Sequence, residues 1–136
     1  MCMLTREEVI KRTTFSNAQL YRVQGLPQAA TLGPNRVAWY RTEISMFLLS
    51  CPRAIEHGLT YPGLEVPEDI FVMTEKQVCG YTSLARANLN RMIREARFPS
   101  PVKLSVQKIG YLRHEVDHWL QSRPRASWSL GVQPSL

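Results

Sequence analysis

The chain has 136 residues, of which 44% are hydrophobic and 21% charged, a balance that fits a folded globular protein and excludes a disordered tail. Seventeen Lys and Arg against eleven Asp and Glu give a formal net charge of +6, which makes a polyanion the first partner to consider. No apolar run reaches the length of a membrane span or a signal peptide, and Cys2, Cys51 and Cys79 are scattered without a C-x-x-C pair, so a cytoplasmic protein with reduced thiols, no disulfide framework and no zinc ribbon is expected.

From the N-terminus, Thr5-x-x-Glu8 has the spacing of a capping box and opens a first helix that turns Val9 inward. Ser16-x-x-Gln19 predicts a second helix through Leu20, Tyr21 and Val23. Then "AATL-GPN-RVAWY" reads as a hairpin with a Gly33-Pro34-Asn35 tip. A third helix, starting near Thr42, places Ile44, Phe47 and Leu48 on one apolar face, and Pro52 stops it. Residues 54–72 carry no Lys or Arg and four acids, Glu56, Glu65, Glu68 and Asp69. This acidic connector also holds Ile55, Leu59, Tyr61 and Leu64, which makes it too apolar for a free linker, so it is expected to pack along its neighbours.

The order of signals then recurs. Thr74-x-x-Gln77 is a second capping box, with Val78 inward, and a helix through Leu89, Met92 and Ile93 follows, although Ala85 stands where Ser16 stood. "PVKL-SVQ-KIGYL" is the second hairpin, and a last helix from near His114 carries Val116, Trp119 and Leu120 before Pro124. Without gaps, 4–23 aligns on 73–92, sharing Thr5/Thr74, Val9/Val78, Leu20/Leu89 and Arg22/Arg91; after a three-residue deletion, 26–53 aligns on 98–125, sharing Leu32/Leu104, Arg41/Arg113, Glu43/Glu115, Pro52/Pro124 and Arg53/Arg125. One unit of helix, helix, hairpin and helix is used twice. The expected organisation is a winged helix-turn-helix unit over 1–53, the connector over 54–72, a second such unit over 73–125 and a tail over 126–136 that carries Trp128. The expected fold class is mainly α with small β-hairpins, in two tandem winged helix-turn-helix units.

With "LTREEVIKRTTFSNAQLYR", "FPSPVKL" and "YLRHEVDHWL" in view, the chain resembles the AlpA-like and phage excisionase-like winged-helix family, related to the DNA-binding domain of MerR regulators. The first copy keeps Ser16, Leu20, Tyr21 and Arg22 but has lost residues before the wing. The second keeps the wing and last helix, with Asn90 where the family tyrosine would be. The resemblance implies a sequence-specific regulator of a prophage or other mobile element, acting as a transcription regulator, an excisionase or both. It implies double-stranded DNA as partner, with integrase or RNA polymerase beside it. Other readings are a phage-encoded winged-helix adaptor or inhibitor and a small terminase-like packaging subunit.

In such a unit the second helix enters the major groove, where Arg suits guanine and Asn or Gln suits adenine. Candidates are Asn17, Gln19 and Arg22 in the first copy and Arg86, Asn88, Asn90 and Arg91 in the second. Arg36 and Lys108 stand at the wing tips, suited to phosphate. Arg41 and Arg113, beside the last helices, suit either a phosphate or an ion pair with Glu43 or Glu115. Trp39, Tyr40, Phe47, Tyr111 and Trp119 belong to the core. The two copies would act as a monomeric pseudo-dimer, or the protein would assemble cooperatively on DNA.

Residues 114–118, "HEVDH", spell the zinc-protease pattern H-E-x-x-H. In the first copy these positions are Thr42, Glu43, Ile44, Ser45 and Met46, so only the glutamate recurs, and His57 is the sole further histidine. A catalytic zinc needs a third protein ligand and an open position. The expectation is therefore no metal, no cofactor and no enzyme, with His114 at the helix cap, His118 toward solvent and Glu115 favouring the helix N-terminus.

Overall fold

Residues 2–126 are described by the structure, a computed structural model; Trp128 and the rest of the predicted tail lie outside them. Strand β1 (Met3–Leu4) leads directly into α1 (Arg6–Thr13). The capping box forms at this junction: the Glu8 amide donates to Thr5 Oγ1 at 3.2 Å and the Thr5 amide to Glu8 Oε1 at 3.1 Å. Leu4 and Val9 are both buried on either side of the cap, a hydrophobic staple that fixes how the chain enters the helix. Thr13 Oγ1 then donates to the Val9 carbonyl at 2.8 Å, accepts from the Phe15 amide at 3.3 Å, and Thr14 turns left-handed to end the helix.

The second helix predicted for the first copy does not form. Its capping box is made, with the Ser16 amide 2.8 Å from Gln19 Oε1 and the Gln19 amide 3.3 Å from Ser16 Oγ, yet only a single 3₁₀ turn (Gln19–Tyr21) follows. Gly25, at φ +90°, and Pro27 leave the shortened segment no room for further turns before β2 (Ala30–Gly33). Strand β3 (Arg36–Tyr40) passes without a break into α2 (Arg41–Ser50), one residue ahead of the predicted start.

The chain next runs through the connector into β4 (Val72–Met73), α3 (Glu75–Thr82), α4 (Arg86–Arg94), β5 (Val102–Ser105), β6 (Lys108–Leu112) and α5 (Arg113–Gln121). The Thr74–Gln77 capping box forms as expected, at 2.9 and 3.2 Å. Two three-stranded antiparallel sheets result, ordered β1-β3-β2 and β4-β6-β5. Their registers correspond: Leu4 opposes Trp39 and Ala30 opposes Ala38 in the first, while Met73 opposes Tyr111 and Val102 opposes Gly110 in the second. With five α-helices and six strands among the described residues, the fold is mixed α/β, not mainly α. The third strand of each sheet is two residues long, too short to carry an alternation pattern.

The β4-β6-β5 sheet contributes side chains to two cores. In one, Val72, Val102, Leu104 and Leu112 lie with Leu4, Phe15, Trp39 and Leu48 of the first half; in the other, Tyr111 joins Val78, Leu89, Phe98 and Trp119. Gly110 allows the first of these contacts, because a Cβ there would sit 2.9 Å from Leu104 Cδ1 and 3.2 Å from Val72 Cβ. The connector spans both cores. Ile55, Leu59 and Tyr61 pack on the second, and Asp69 and Glu68 turn back to Arg12, at 3.4 Å, and to Arg41.

Candidate nucleic-acid interface

Helix α4 is held from below and open above. Thr82 Oγ1 donates to Val78 O at 2.8 Å, Ser83 adopts φ +64°, and the three residues 83–85 turn the chain from α3 into α4. Leu89 and Ile93 anchor α4 in the core. Beyond its C-terminus, Trp119 Nε1 donates to the Arg97 carbonyl at 2.8 Å, and Phe98 packs edge-on against the Trp119 ring at 4.7 Å, which fixes the path into β5. With the inward stripe set by Leu89 and Ile93, the helical period turns Ala87, Asn88, Arg91 and Arg94 outward, and all four are exposed. Asn88 Oδ1 lies 3.4 Å from Arg91 Nη2, which orients the two polar ends together. Arg94 adds to the positive charge ahead of the hairpin but is not among the residues expected from sequence to contact DNA, although its i+3 spacing from Arg91 puts it on the same face.

Other candidates are placed differently. Arg86 is engaged by Glu75 at 2.5 Å, at the edge of the α4 face. Asn90 is half-buried and looks toward a small groove with Ile93, Ile109 and Tyr111. Arg113 lies on the far side, 4.0 Å from Asp117 and over the rings of Phe71 and Tyr81. Lys108 is turned inward across the chain: its Nζ donates to the Thr14 carbonyl at 2.8 Å and sits 5.7 Å from the centre of the Phe15 ring. The tip of the β5–β6 hairpin is thereby tied to the first half of the molecule.

In the first half, Asn17 and Arg22 are exposed on either side of the 3₁₀ turn, but Gln19 spends its carbonyl oxygen on the Ser16 amide. Gln19, Arg22 and Gln24 face Ser105, Gln107 and Lys108 across a cleft of about 770 Å³. Arg36 is exposed at its own hairpin tip, beside Asn35 at φ +59°. Arg41 pairs with Glu68 and, at 3.8 Å, with Asp69, so neither Arg41 nor Arg113 uses the neighbouring glutamate as its ion-pair partner. The connector thus neutralises Arg12 and Arg41, while Arg22, Arg36, Arg91 and Arg94 have no acidic partner among the described residues.

The "HEVDH" residues serve packing. Leu112, not His114, is the N-cap of α5; His114 is half-buried in the first turn, its Nδ1 shielded without a partner, and burial holds its pKa below the usual histidine value. His118 is half-buried too, packed edge-on against Tyr61 at 4.5 Å instead of facing solvent. Glu115 is 4% exposed and receives Arg53 on both oxygens, at 2.7 and 2.5 Å. Tyr111 is pushed up to about 12 by burial, and burial likewise raises the Cys51 thiol, so neither offers an activated nucleophile.

The second half thus joins two short helices by a tight turn, gives the second an outward basic face and sets a hairpin beside it. Residues 72–124 match the family model described as Prophage CP4-57 regulatory protein (AlpA), so this segment, from β4 to the proline after α5, is similar to a phage regulatory family. No curated protein and no solved structure matches the chain. Among the described residues, no helix is long and apolar enough to cross a membrane.

Proposed function

We propose that the protein is a sequence-specific DNA-binding regulator of a prophage or other mobile element, working in the cytoplasm by binding and not by catalysis. In this reading 73–125 is a winged helix-turn-helix that reads DNA, and 1–53 is a diverged copy of the same unit that supports it. The observation that carries the reading is the outward face of α4, where Asn88, Arg91 and Arg94 surround the small Ala87 with no carboxylate among the described residues paired to Arg91 or Arg94. Such a face offers a bidentate donor for guanine and an amide for adenine at groove depth. The first copy has one 3₁₀ turn at the corresponding place, too short to lie along a major groove, and its cleft instead receives the hairpin tip of the second.

The family match supports regulation. Activation of an integrase or excisionase gene and direct bending of an attachment site both begin with this DNA contact. Selection of bound duplexes from a random library, then footprinting at near-physiological salt, tests it. A single short half-site whose protection is lost in Arg91→Glu and kept in Arg22→Glu is the expected result. Absence of enrichment, together with binding that does not weaken as salt is added, would refute it in favour of a protein partner.

A further inference from the structure

The segment after α2, Pro52-Arg53-Ala54, is the joint by which the first half of the chain grips the second. The Lys103 amide donates to the Pro52 carbonyl at 2.7 Å and the Ala54 amide to the Pro101 carbonyl at 2.8 Å, so the segment adds to the outer edge of β5. Between them Arg53 donates to the Ser100 carbonyl at 2.7 Å and clasps the buried Glu115. The same tripeptide, Pro124-Arg125-Ala126, follows α5, and there all three residues are exposed.

The receiving surface is also present twice. Strand β2 is the edge of its sheet as β5 is of the other, and Thr31 opposes Val37 as Lys103 opposes Ile109, ahead of the same irregularity. Glu43 is the third residue of α2 as Glu115 is of α5, yet it is exposed and has no ion-pair partner among the described residues. Leu32 is 55% exposed where its counterpart Leu104 is 3% exposed, and no described segment pairs with the outer edge of β2. Among the described residues, one end of the molecule carries a donor without a receiver, and the other carries a receiver without a donor.

We infer that a second copy of this chain docks head to tail, with Pro124-Arg125-Ala126 of one copy on the β2 edge of the next and Arg125 on Glu43. Donor and receiver are different surfaces, so the contact is heterologous and propagates into a row or ring of copies instead of closing as a two-fold dimer. Arg36 would meet the Ser83 carbonyl as Lys108 meets that of Thr14, but Leu84 stands at the place of Phe15, so the cation–π contact of Lys108 has no counterpart. The association is therefore weaker than the joint within the chain and depends on concentration. The inference rests on the reading of the chain as two copies of one unit, not on DNA binding, and its test contains no DNA.

Sedimentation equilibrium of the full chain from low-micromolar to near-millimolar concentration is the experiment. The mean mass of the wild type should climb past that of a dimer; Arg125→Glu and Glu43→Arg should each weaken association at least about tenfold, and the double reversal should restore it. Thr31→Pro, which removes the receiving amide while leaving β3 paired, should also abolish it with an unchanged circular dichroism spectrum. A wild type that stays monomeric throughout, a dimer that stops at two and ignores the reversals, or a double reversal that restores nothing would overturn the inference. DNA binding by α4 would be untouched by any of these results.

Discussion

Replacing Arg53 with Ala breaks the joint at its most buried point. Glu115 is 4% exposed and its two oxygens are both held by the guanidinium, so the variant leaves a carboxylate buried with no counter-charge. Removing one partner of a buried pair costs about 3–5 kcal/mol. The Arg53 side chain is itself 29% exposed, so water reaches part of the vacated space and the lower end, about 3 kcal/mol, is expected. The converse change is milder: Glu115→Gln keeps the shape and leaves the charge on the partner that water can reach, at about 1–2 kcal/mol. A combined Arg53→Met, Glu115→Leu variant should recover most of the loss, since no charge is then left unpaired. Urea unfolding followed by tryptophan fluorescence measures all three, with Trp39 in the first core and Trp119 in the second reporting on both halves. A loss for Arg53→Ala of less than about 1 kcal/mol, the size of an exposed ion pair, would show that the joint carries no such burden.

Further outcomes follow from other residues. Arg91→Ala should cost about 1–3 kcal/mol of specific DNA affinity in a gel-shift titration, with Arg94→Ala acting mainly through a shallower salt dependence; equal affinity in both variants would remove α4 from the interface. Burial lowers the His114 pKa in the folded state, so the unfolded chain takes up a proton first as pH falls. The stability gained from the neutral imidazole is fully present above the unfolded value near 6.5 and is lost as pH falls through the folded value; urea midpoints of His114→Gln should show a flatter pH dependence there. Thr74→Ala should lower stability by about 1 kcal/mol through loss of the cap. Ala96, at φ +57° just beyond α4, is a left-handed residue with a Cβ, and Ala96→Gly should raise the unfolding free energy by about 0.5–1 kcal/mol.

What could be read from the letters was local. Thr5, Glu8, Thr74 and Gln77 announce their helices because a capping box needs only side chains and amides within four residues, and both boxes are made. The Ser16 box has the same spacing and forms, but a cap starts a helix without deciding its length; the shorter segment and the Gly25 turn decide that, and their effect shows only once the chain must reach β2. Strands β1 and β4 escaped because two residues make no pattern. At the interface, the outward side of α4 follows from helical spacing, whereas Lys108 bends back to Thr14 because the two halves share a core, a long-range fact that no hairpin sequence carries. Likewise Arg41 suggests a partner two residues away, yet finds Glu68 when the connector folds back.

The "HEVDH" spelling follows from the same long-range packing. Its glutamate is the one letter that recurs in the aligned segment of the first half, as Glu43, and Glu115 itself is consumed by Arg53. Its first histidine fills a half-buried place at the start of α5, and its second lies against Tyr61 of the connector, so the two imidazoles answer to different neighbours. No group of three His, Cys, Asp or Glu capable of holding a metal occurs among the described residues. Glu115 and His118 are thus accounted for by the way residues 53–61 return onto the second half, whereas Val116 lies in the second core and Asp117 meets Tyr81 and Arg113. In the first half, Thr42 and Met46 stand at the two histidine positions and Glu43 faces solvent. A chain that docks its neighbour through Arg125 would bury Glu43 as it already buries Glu115.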